Sequence, residues 1–265
     1  MVSELNHATV AGRESDLRKG KVLIGTSGWN YKHWSNGVFY PEGLRPAKWL
    51  HHYCQYFSTV ELNYSFYRLP KRETFEKWYG ATPSGFVLAV KANRFITHVK
   101  RLKDVEQTVP NFLANASALK EKLGPVLFQF PASFHADEDR LKRLLRYWSS
   151  QDIVPGARAA FEFRHESWFT DDVLRLLTDA NAAVCLADWP ELDREPETTA
   201  DFVYVRRHGS QRPYTGSYSR NELEKDAGPI RRWSAKGKDV YAYFNNDAFG
   251  WALENARTLQ ELVMN

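Results

Sequence analysis

The chain is poor in the features that identify secreted, disulfide-rich and membrane-spanning proteins. Its 265 residues include only two cysteines, Cys54 and Cys185, which fall inside a predicted helix and a predicted strand. We therefore expect two buried, reduced thiols rather than a disulfide or a metal pair. Residues 1–20 lack an apolar segment of signal-peptide length, and no apolar run of about eighteen residues occurs. These absences predict a cytoplasmic protein that is neither secreted nor inserted into a membrane.

An excess of one charge is also scarce. The formal net charge is +4 at pH 7, which would help attract an anionic ligand but falls short of the strongly basic surface of nucleic-acid-binding domains. Apolar residues make up 43% of the chain and charged residues 26%, a balance that excludes disordered and fibrous classes. The length favours one domain, because barrels of alternating strand and helix reach about 250 residues as a single unit.

Eight short apolar segments recur along the chain, and stretches with helical periodicity separate most of them. The segments are rich in Val, Phe and Leu and nearly continuous, as strands covered on both faces require. The predicted strands are residues 22–27, 59–63, 86–92, 125–130, 158–164, 182–188, 202–208 and 239–245. Residues 189–201 carry two prolines and many acids without an apolar stripe, which predicts an irregular connection between strands six and seven. The pattern predicts a single-domain TIM-type (β/α)8 barrel, an α/β fold.

An open doubly wound sheet and a barrel with fewer strands are the alternative folds. An open sheet more often has a glycine-rich phosphate loop after its first strand, whereas residues 25–29 lack the GxGxxG spacing. The closed barrel is therefore favoured.

Two local signals predict where helices begin and end. Ser219 with Glu222 forms a capping-box pattern, which predicts the start of a helix. Gly124 and Pro125 are expected to end a long helix over residues 104–123, since both residues break helices.

Polar or charged residues close the predicted strands. In a barrel of parallel strands, the carboxyl ends of the strands open into the active-site loops, so these residues predict a polar mouth. Alternation along each strand places residues two apart on the same face. The residues in question are Glu61, Asn63, Lys91, Gln129, Glu162, Arg164, Asp188, Arg206, His208 and Asn245.

Several segments around these strand ends resemble the YecE-like family, catalogued as domain of unknown function 72. The segments are GTSGWNYKHW (25–34), VFYP (38–41), VELNYSFYRLP (60–70), THVKRL (97–102), PVLFQFP (125–131), FEFRHESWF (161–169), YVRRHG (204–209) and YAYFNND (241–247). The resemblance covers residues 21–265 and implies a TIM-type barrel, but it implies no particular reaction. Residues 1–20 lie outside it and are predicted to form a flexible N-terminal extension.

The charged residues at the mouth are the candidates for catalysis. We assign Glu162 as the acid or base, Glu61 as its partner and His208 as a third catalytic residue. In a confined site, opposite charges lower the pKa of a carboxyl, whereas like charges and desolvation raise it, and such coupling can prepare a general acid or base. Two carboxylates also suit glycoside hydrolysis, although sequence does not supply their separation. The alternative is an ion-pair network that closes the barrel without catalysis.

The ligand is predicted to be a small anion of carbohydrate or nucleotide type. Guanidinium groups bind phosphate and carboxylate through forked hydrogen bonds, and loop aromatics can stack on a sugar or a base. The predicted substrate-binding residues are Asn63, Lys91, Gln129, Arg164, Asp188, Arg206, Asn245, Trp29, Tyr64, Trp168 and Tyr218. Further loop aromatics are Tyr31, Trp34, Phe66, Tyr67, Trp189 and Tyr214.

Two other functions stay open, although we predict neither a cofactor nor a bound metal. A metal-dependent nuclease-like or nucleic-acid-binding barrel would use oxygen and nitrogen ligands from Glu61, Glu162, Asp188 and His208, but no HxH, HExxH or CxxC spacing supports it. A ligand-sensing barrel would bind a small molecule without a chemical step. The sequence does not indicate an oligomeric state.

Overall fold

Eight parallel strands alternate with helices in the structure, a computed structural model that describes residues 18–189, 197–210 and 212–264. The strands are β1 (Val22–Thr26), β2 (Thr59–Leu62), β3 (Val87–Lys91), β4 (Leu123–Gln129), β5 (Ala159–Glu162), β6 (Ala183–Ala187), β7 (Phe202–Arg207) and β8 (Asp239–Phe244). They pair in the order β1-β8-β7-β6-β5-β4-β3-β2. The predicted TIM-type barrel is therefore confirmed.

The α-helices lie in the connections between the strands, except the last, which follows β8. They are α1 (Trp49–Tyr53), α2 (Tyr64–Tyr67), α3 (Arg72–Ala81), α4 (Val105–Ala116), α5 (Glu138–Ser150), α6 (Asp171–Asp179), α7 (Arg220–Ala235) and α8 (Trp251–Met264). Short 3₁₀ turns occupy Lys32–Trp34, Pro46–Lys48, Ser117–Lys122, Glu166–Trp168 and Ala248–Gly250, and a π-helical turn occupies Phe95–Val99. The Ser219 and Glu222 side chains form the predicted capping box at the start of α7.

Side chains of the strands alternate between two apolar layers. One layer fills the space between the strands and the helices, and the other fills the inside of the barrel. The inside combines small side chains on one half of the barrel with large rings on the other: Ala89, Ala160 and Ala183 against Tyr204, Tyr241 and Tyr243. Because alternation continues to the strand ends, Glu61, Lys91, Glu162 and Arg206 share the inward face at the mouth.

The barrel closes between β1 and β2 through a side chain. The hydroxyl of Tyr53, at the end of α1, accepts a hydrogen bond from the Thr26 backbone N–H at 3.0 Å and donates one to the Thr59 carbonyl at 3.1 Å. The ring thus joins the two strands whose pairing would complete the sheet.

The expected helix over residues 104–123 is wrong at its end. Helix α4 stops at Ala116, and β4 already begins at Leu123. Gly124 and Pro125 lie inside β4 at a register shift against β3, where an irregular pairing tolerates a proline. A Cβ on Gly124 would lie 2.7 Å from Cγ1 of Val87, so this close strand approach requires glycine.

Parts of two predicted segments fall outside the described residues. Residues 1–17 of the expected extension and residues 190–196 of the expected irregular connection belong to this group. Gly20 is hydrogen bonded to Ser234 of α7 through both its N–H and its carbonyl. Residues 188–189 and 197–201 form neither helix nor strand. In the part of the chain that the structure describes, no helix has the length and apolar character needed to span a membrane.

The two cysteines are free thiols in different environments. Cys185 is buried inside the barrel, whereas Cys54 is only half-buried beyond the end of α1. Burial raises the pKa of the Cys54 thiol to about 12, so this thiol is protonated at neutral pH.

Candidate functional site

Arg206 of β7 stands at the centre of the mouth and is completely buried. Its Nη2 donates to Oε1 of Glu61 at 2.8 Å, and its Nη1 donates to Oε2 of Glu162. The Tyr204 hydroxyl donates to the second oxygen of Glu61 at 2.6 Å. One guanidinium therefore pairs with both predicted catalytic carboxylates, an arrangement that makes two buried negative charges tolerable.

Arg164 links this buried centre to the open part of the mouth. Its Nε donates to Oε1 of Glu162 at 2.7 Å, and its Nη1 donates to the Tyr214 hydroxyl at 3.2 Å. The guanidinium carbon lies 3.8 Å from the centre of the Trp189 ring, a cation–π contact. The side chain keeps 11% exposure. Arg164 is thus held on two sides while one edge faces outward.

The charge state of Glu162 follows from these partners. Burial alone would raise the pKa of its carboxyl, but Arg206, Arg164 and His208 outweigh burial and hold the pKa well below its usual range. Glu162 is therefore ionised at neutral pH. In this state it can accept a proton or stabilise positive charge, but it has no proton to donate.

His208, directly after β7, is buried beside the same carboxylate. Its Nε2 lies 3.3 Å from Oε1 of Glu162, and its Nδ1 lies 3.2 Å from Nδ2 of Asn245. Burial lowers the pKa of His208, and repulsion by Arg206 adds to this effect against the attraction of Glu162. The imidazole is therefore neutral, and because the Asn245 amide donates to Nδ1, its proton lies on Nε2, facing Glu162.

Lys91 ends β3 inside the mouth, with 8% of the residue exposed. Its Nζ lies 4.1 Å from the centre of the Phe66 ring and has no hydrogen bond to any residue that the structure describes. Burial is the main cause that lowers the pKa of Lys91 to about 7, with Arg206 and Arg164 acting in the same direction and Glu162 and Glu61 acting against it. A substantial fraction of this side chain is therefore a neutral amine near pH 7.

Asp188 and Tyr218 are hydrogen bonded to the backbone at His208 and Gly209. Asp188 accepts a hydrogen bond from the His208 backbone N–H at 2.6 Å and another from the Tyr218 hydroxyl. That hydroxyl in turn accepts from the Gly209 N–H at 2.6 Å. Burial raises the pKa of Asp188 despite the opposing charge of Arg207. The two side chains thus hold the turn after β7, which positions the imidazole.

Gln129 and Asn63, two further residues predicted to bind the substrate, differ in how many of their polar atoms are hydrogen bonded. Gln129 is buried and donates from Nε2 to the Phe130 carbonyl at 2.7 Å. Asn63 donates from Nδ2 to the Ser27 carbonyl at 3.1 Å, but its Oδ1 and the Ser27 hydroxyl are buried without a partner among the described residues. Because buried polar atoms are nearly always hydrogen bonded, these two oxygens are unusual.

An aromatic cleft of about 510 Å³ opens beside Asn63. Trp29 and Tyr64 pack edge-on against Trp78, with ring centres 5.6 and 6.4 Å apart. Arg68 and Lys71 also line the cleft. Trp29 and Tyr64, both predicted to bind the substrate, line this cleft. Trp78 was missed because it lies on α3, where an aromatic residue with helical spacing is typical of a core position.

Trp168 is not brought to the mouth. It is completely buried, and its Nε1 donates to the Phe134 carbonyl at 2.6 Å. Its ring stacks on Phe163 with centres 4.9 Å apart. The 3₁₀ turn Glu166–Trp168 directs the indole back into the layer between strands and helices, so its position serves packing.

The four candidate metal ligands do not converge. The Arg206 guanidinium lies between Glu61 and Glu162, and Asp188 is engaged with Tyr218. Across residues 18–189, 197–210 and 212–264, no group of three or more His, Cys, Asp or Glu side chains is arranged to hold a metal ion.

Comparison with known proteins identifies relatives along almost the whole chain. The model of the family described as "Protein of unknown function DUF72" matches residues 23–265. The UPF0759 protein YunF of Bacillus subtilis is 26% identical over 273 residues, covering 91% of this chain and 94% of YunF. The UPF0759 protein YecE of Escherichia coli is 29% identical over 149 residues, 56% of this chain and 50% of YecE. The crystal structure of a DUF72 family protein from Thermotoga maritima, at 31% identity, has a TM-score of 0.80 and covers 92% of this chain and 100% of its own.

Proposed function

The chain belongs to the DUF72 family, and we propose that its barrel mouth binds an anionic carbohydrate- or nucleotide-like small molecule and acts on it by acid–base chemistry. The charge balance of the buried cluster carries this proposal. Arg206 and Arg164 balance the two carboxylates, Glu61 and Glu162, and the protonated fraction of Lys91 adds further positive charge. A surplus of positive charge in a site shielded from water favours a bound anion.

Arg164 and Lys91 are the cations that a ligand can reach. Arg206 is fully buried, and its two terminal nitrogens are hydrogen bonded to the two glutamates. Nη2 of Arg164 and Nζ of Lys91 have no hydrogen-bond partner in the described chain, and both side chains retain some exposure. A forked guanidinium beside an amine matches the geometry of a phosphate or a carboxylate.

The surroundings favour a ligand whose body is polar and has a flat or ring-shaped face. Asn63, Arg68 and Lys71 place polar groups along the adjoining cleft. The adjoining cleft offers Trp29, Tyr64 and Trp78 for stacking on a sugar or base. Few polar groups set in an aromatic cleft are typical of small-molecule sites.

Binding of an anion would also prepare the acid–base residue. Because Arg164 helps to hold the pKa of Glu162 low, neutralising Arg164 with an anion would raise that pKa towards a range in which Glu162 exchanges protons. We therefore retain Glu162 as the proposed base, with Glu61 as the second carboxylate. His208, whose ring nitrogens face Glu162 and Asn245, would position the Glu162 carboxylate.

Calorimetric titration of the protein with sugar phosphates, nucleotides and their unphosphorylated counterparts tests the anion site. At least one phosphorylated compound should bind, its counterpart should bind at least about tenfold more weakly, and Arg164→Gln should remove the difference. Arg158→Gln, at the opposite end of the barrel, is the matched control and should bind like the wild type. The proposal fails if no phosphorylated compound binds or if Arg164→Gln binds it unchanged.

Turnover of an identified ligand tests the acid–base assignment. Glu162→Gln should bind this ligand and lose its conversion, because the amide cannot accept the proton. Conversion at the wild-type rate would refute the role of Glu162. Binding with no conversion by the wild type would instead support the ligand-sensing barrel, whereas metal-dependent, salt-sensitive binding of DNA or RNA would support the nuclease-like alternative.

A further inference from the structure

We propose that Lys91 captures a carbonyl carbon: its Nζ forms a Schiff base with an aldehyde or ketone group of the anionic ligand. The inference rests on the proposed function, since the anion site would hold the charged end of the same molecule. It narrows the substrate class to anionic carbonyl compounds, such as the open-chain form of a phosphorylated sugar.

The backbone presents Lys91 from a rigid position. Lys91 is paired with Leu127 of β4, and its carbonyl accepts a hydrogen bond from the Ser65 hydroxyl at 2.6 Å. Its Nζ rests over Phe66 and is near enough to Glu61, Glu162 and Arg206 for their charges to act on its pKa. A nucleophile on a strand end is held more precisely than one on a loop.

A second buried lysine shows how the fold accommodates an ordinary ammonium. Lys122 is 6% exposed and donates to the carbonyls of Tyr79 and Thr82 at 2.7 and 2.6 Å and to the Thr82 hydroxyl at 3.2 Å. All three protons of an ammonium are therefore satisfied. Lys91 is buried to a similar extent with none of these acceptors, an environment that suits a neutral amine rather than an ammonium.

A neutral amine in this position is a nucleophile. The low pKa of Lys91, about 7, supplies the unprotonated form at neutral pH without removing it from the site. An exposed lysine is almost entirely protonated under the same conditions. The two arginines that help to lower the pKa of Lys91 would also attract an anionic substrate. The same charges would therefore favour the neutral amine and the approach of its reaction partner.

The reaction is balanced without a further reactant. The lone pair of Nζ attacks the carbonyl carbon, the π electrons move to the oxygen, and a proton passes from nitrogen to oxygen to give a carbinolamine. The nitrogen lone pair then forms the C=N bond as the C–O bond breaks, and the departing hydroxide takes the remaining N–H proton to give water. A neutral amine and a carbonyl thus give a neutral imine and water, and the Glu162 and Glu61 carboxylates stabilise the imine that takes up a proton from solvent water.

Reductive trapping tests the inference without knowledge of the natural substrate. The full-length protein is incubated at pH 7 with glyceraldehyde 3-phosphate or with glyceraldehyde, each with sodium cyanoborohydride, which reduces an imine to a stable secondary amine. Peptide mass spectrometry then locates the adducts. Lys91 should be modified at least about tenfold faster than Lys122 or any exposed lysine, with a rate that rises through pH 7. In Lys91→Arg the adduct at this position should be absent.

The two probes separate this inference from the proposed function. Faster modification of Lys91 by the phosphorylated aldehyde, with the advantage lost in Arg164→Gln, supports both. If both aldehydes modify Lys91 selectively and at equal rates, the result supports Lys91 as the nucleophilic amine and contradicts the anion site. Tight binding of glyceraldehyde 3-phosphate without an adduct on Lys91 supports the anion site and overturns the amine role, as does modification of all lysines at similar rates.

Discussion

The two ends of the barrel both pair an arginine with a carboxylate and a tyrosine, but they do so in different environments. At the amino-terminal end of the strands, Arg158 donates to Asp239 at 2.7 Å and to the Tyr241 hydroxyl at 2.8 Å. These two charged side chains are 31% and 25% exposed. At the mouth, Arg206 and both its glutamates have no exposure.

The difference indicates which end is built for stability alone. The pair at the amino-terminal end is balanced, one positive charge to one negative, and water screens it. The mouth pairs two arginines with two glutamates away from water and adds a partly protonated lysine, Lys91, without a hydrogen-bond acceptor in the described chain. An arrangement that is unfavourable without a ligand is typical of a functional site. It also agrees with the general location of chemistry at the carboxyl end of barrel strands.

Removing each arginine should give the largest contrast between the ends. Arg206→Met leaves Glu61 buried without a cationic partner and Glu162 with Arg164 alone, so we expect a loss of about 3 to 5 kcal/mol in the free energy of unfolding. Arg158→Met exposes its partner to water and should lose about 1 kcal/mol or less. Urea denaturation at pH 7 measures both losses in the free energy of unfolding. If Arg206→Met alone fails to fold, that result also supports the distinction between the two ends. Equal losses would contradict the distinction between the two ends.

The pH dependence of stability in acid should also differ between Glu162 at the mouth and Asp239 at the other end, by a smaller amount. The pKa of Glu162 lies below its unfolded value of 4.5, so its stabilising effect is complete above pH 4.5 and is lost as the pH falls below that value. Glu162→Gln should therefore be less stable than the wild type by about 2 to 3 kcal/mol at pH 7, with the difference shrinking below pH 4.5.

Asp239→Asn provides the control at the other end. The pKa of Asp239 is also lowered, since Arg158 and the Lys21 N–H outweigh its partial burial. Solvent screening should limit its effect to less than about 1 kcal/mol. A change in stability between pH 3 and pH 7 that is as large for Asp239→Asn as for Glu162→Gln would contradict the distinction between the two ends.

Local sequence patterns were sufficient to predict the barrel and the charged residues at its mouth. Eight apolar runs give eight strands, and alternation along them places Glu162 and Arg206 on the inward face. The start of β4 was not predictable in this way, because Gly124 and Pro125 break regular structure locally but are accommodated at a register shift that depends on β3.

Contacts between distant residues account for the rest of the site. That Arg206 binds both glutamates, 145 and 44 residues away in sequence, depends on the width of the closed barrel. Trp168 resembles a loop aromatic until its turn is seen to fold back into the core. Neither feature has a local signal, since each depends on tertiary packing.

The smallest effects on stability are expected at the two buried lysines. The two substitutions should change the free energy of unfolding in opposite directions. Lys122→Met leaves three acceptors without their donor and should destabilise the protein at every pH. Lys91→Met replaces an ammonium that has no hydrogen-bond acceptor in the described residues, so the variant should be more stable than the wild type by about 1 to 2 kcal/mol at pH 7.

The pH dependence of this last effect identifies its cause. Lys91 has a folded pKa of about 7 against 10.5 for an exposed lysine, so between these values the folded protein has released a proton that the unfolded chain still binds. The wild type therefore gains stability as the pH rises through this range, and the advantage of Lys91→Met should shrink towards pH 10. Urea denaturation at intervals from pH 6 to pH 10 measures it. A difference that is constant with pH, or destabilisation equal to that of Lys122→Met, would show that Lys91 is an ordinary buried ammonium.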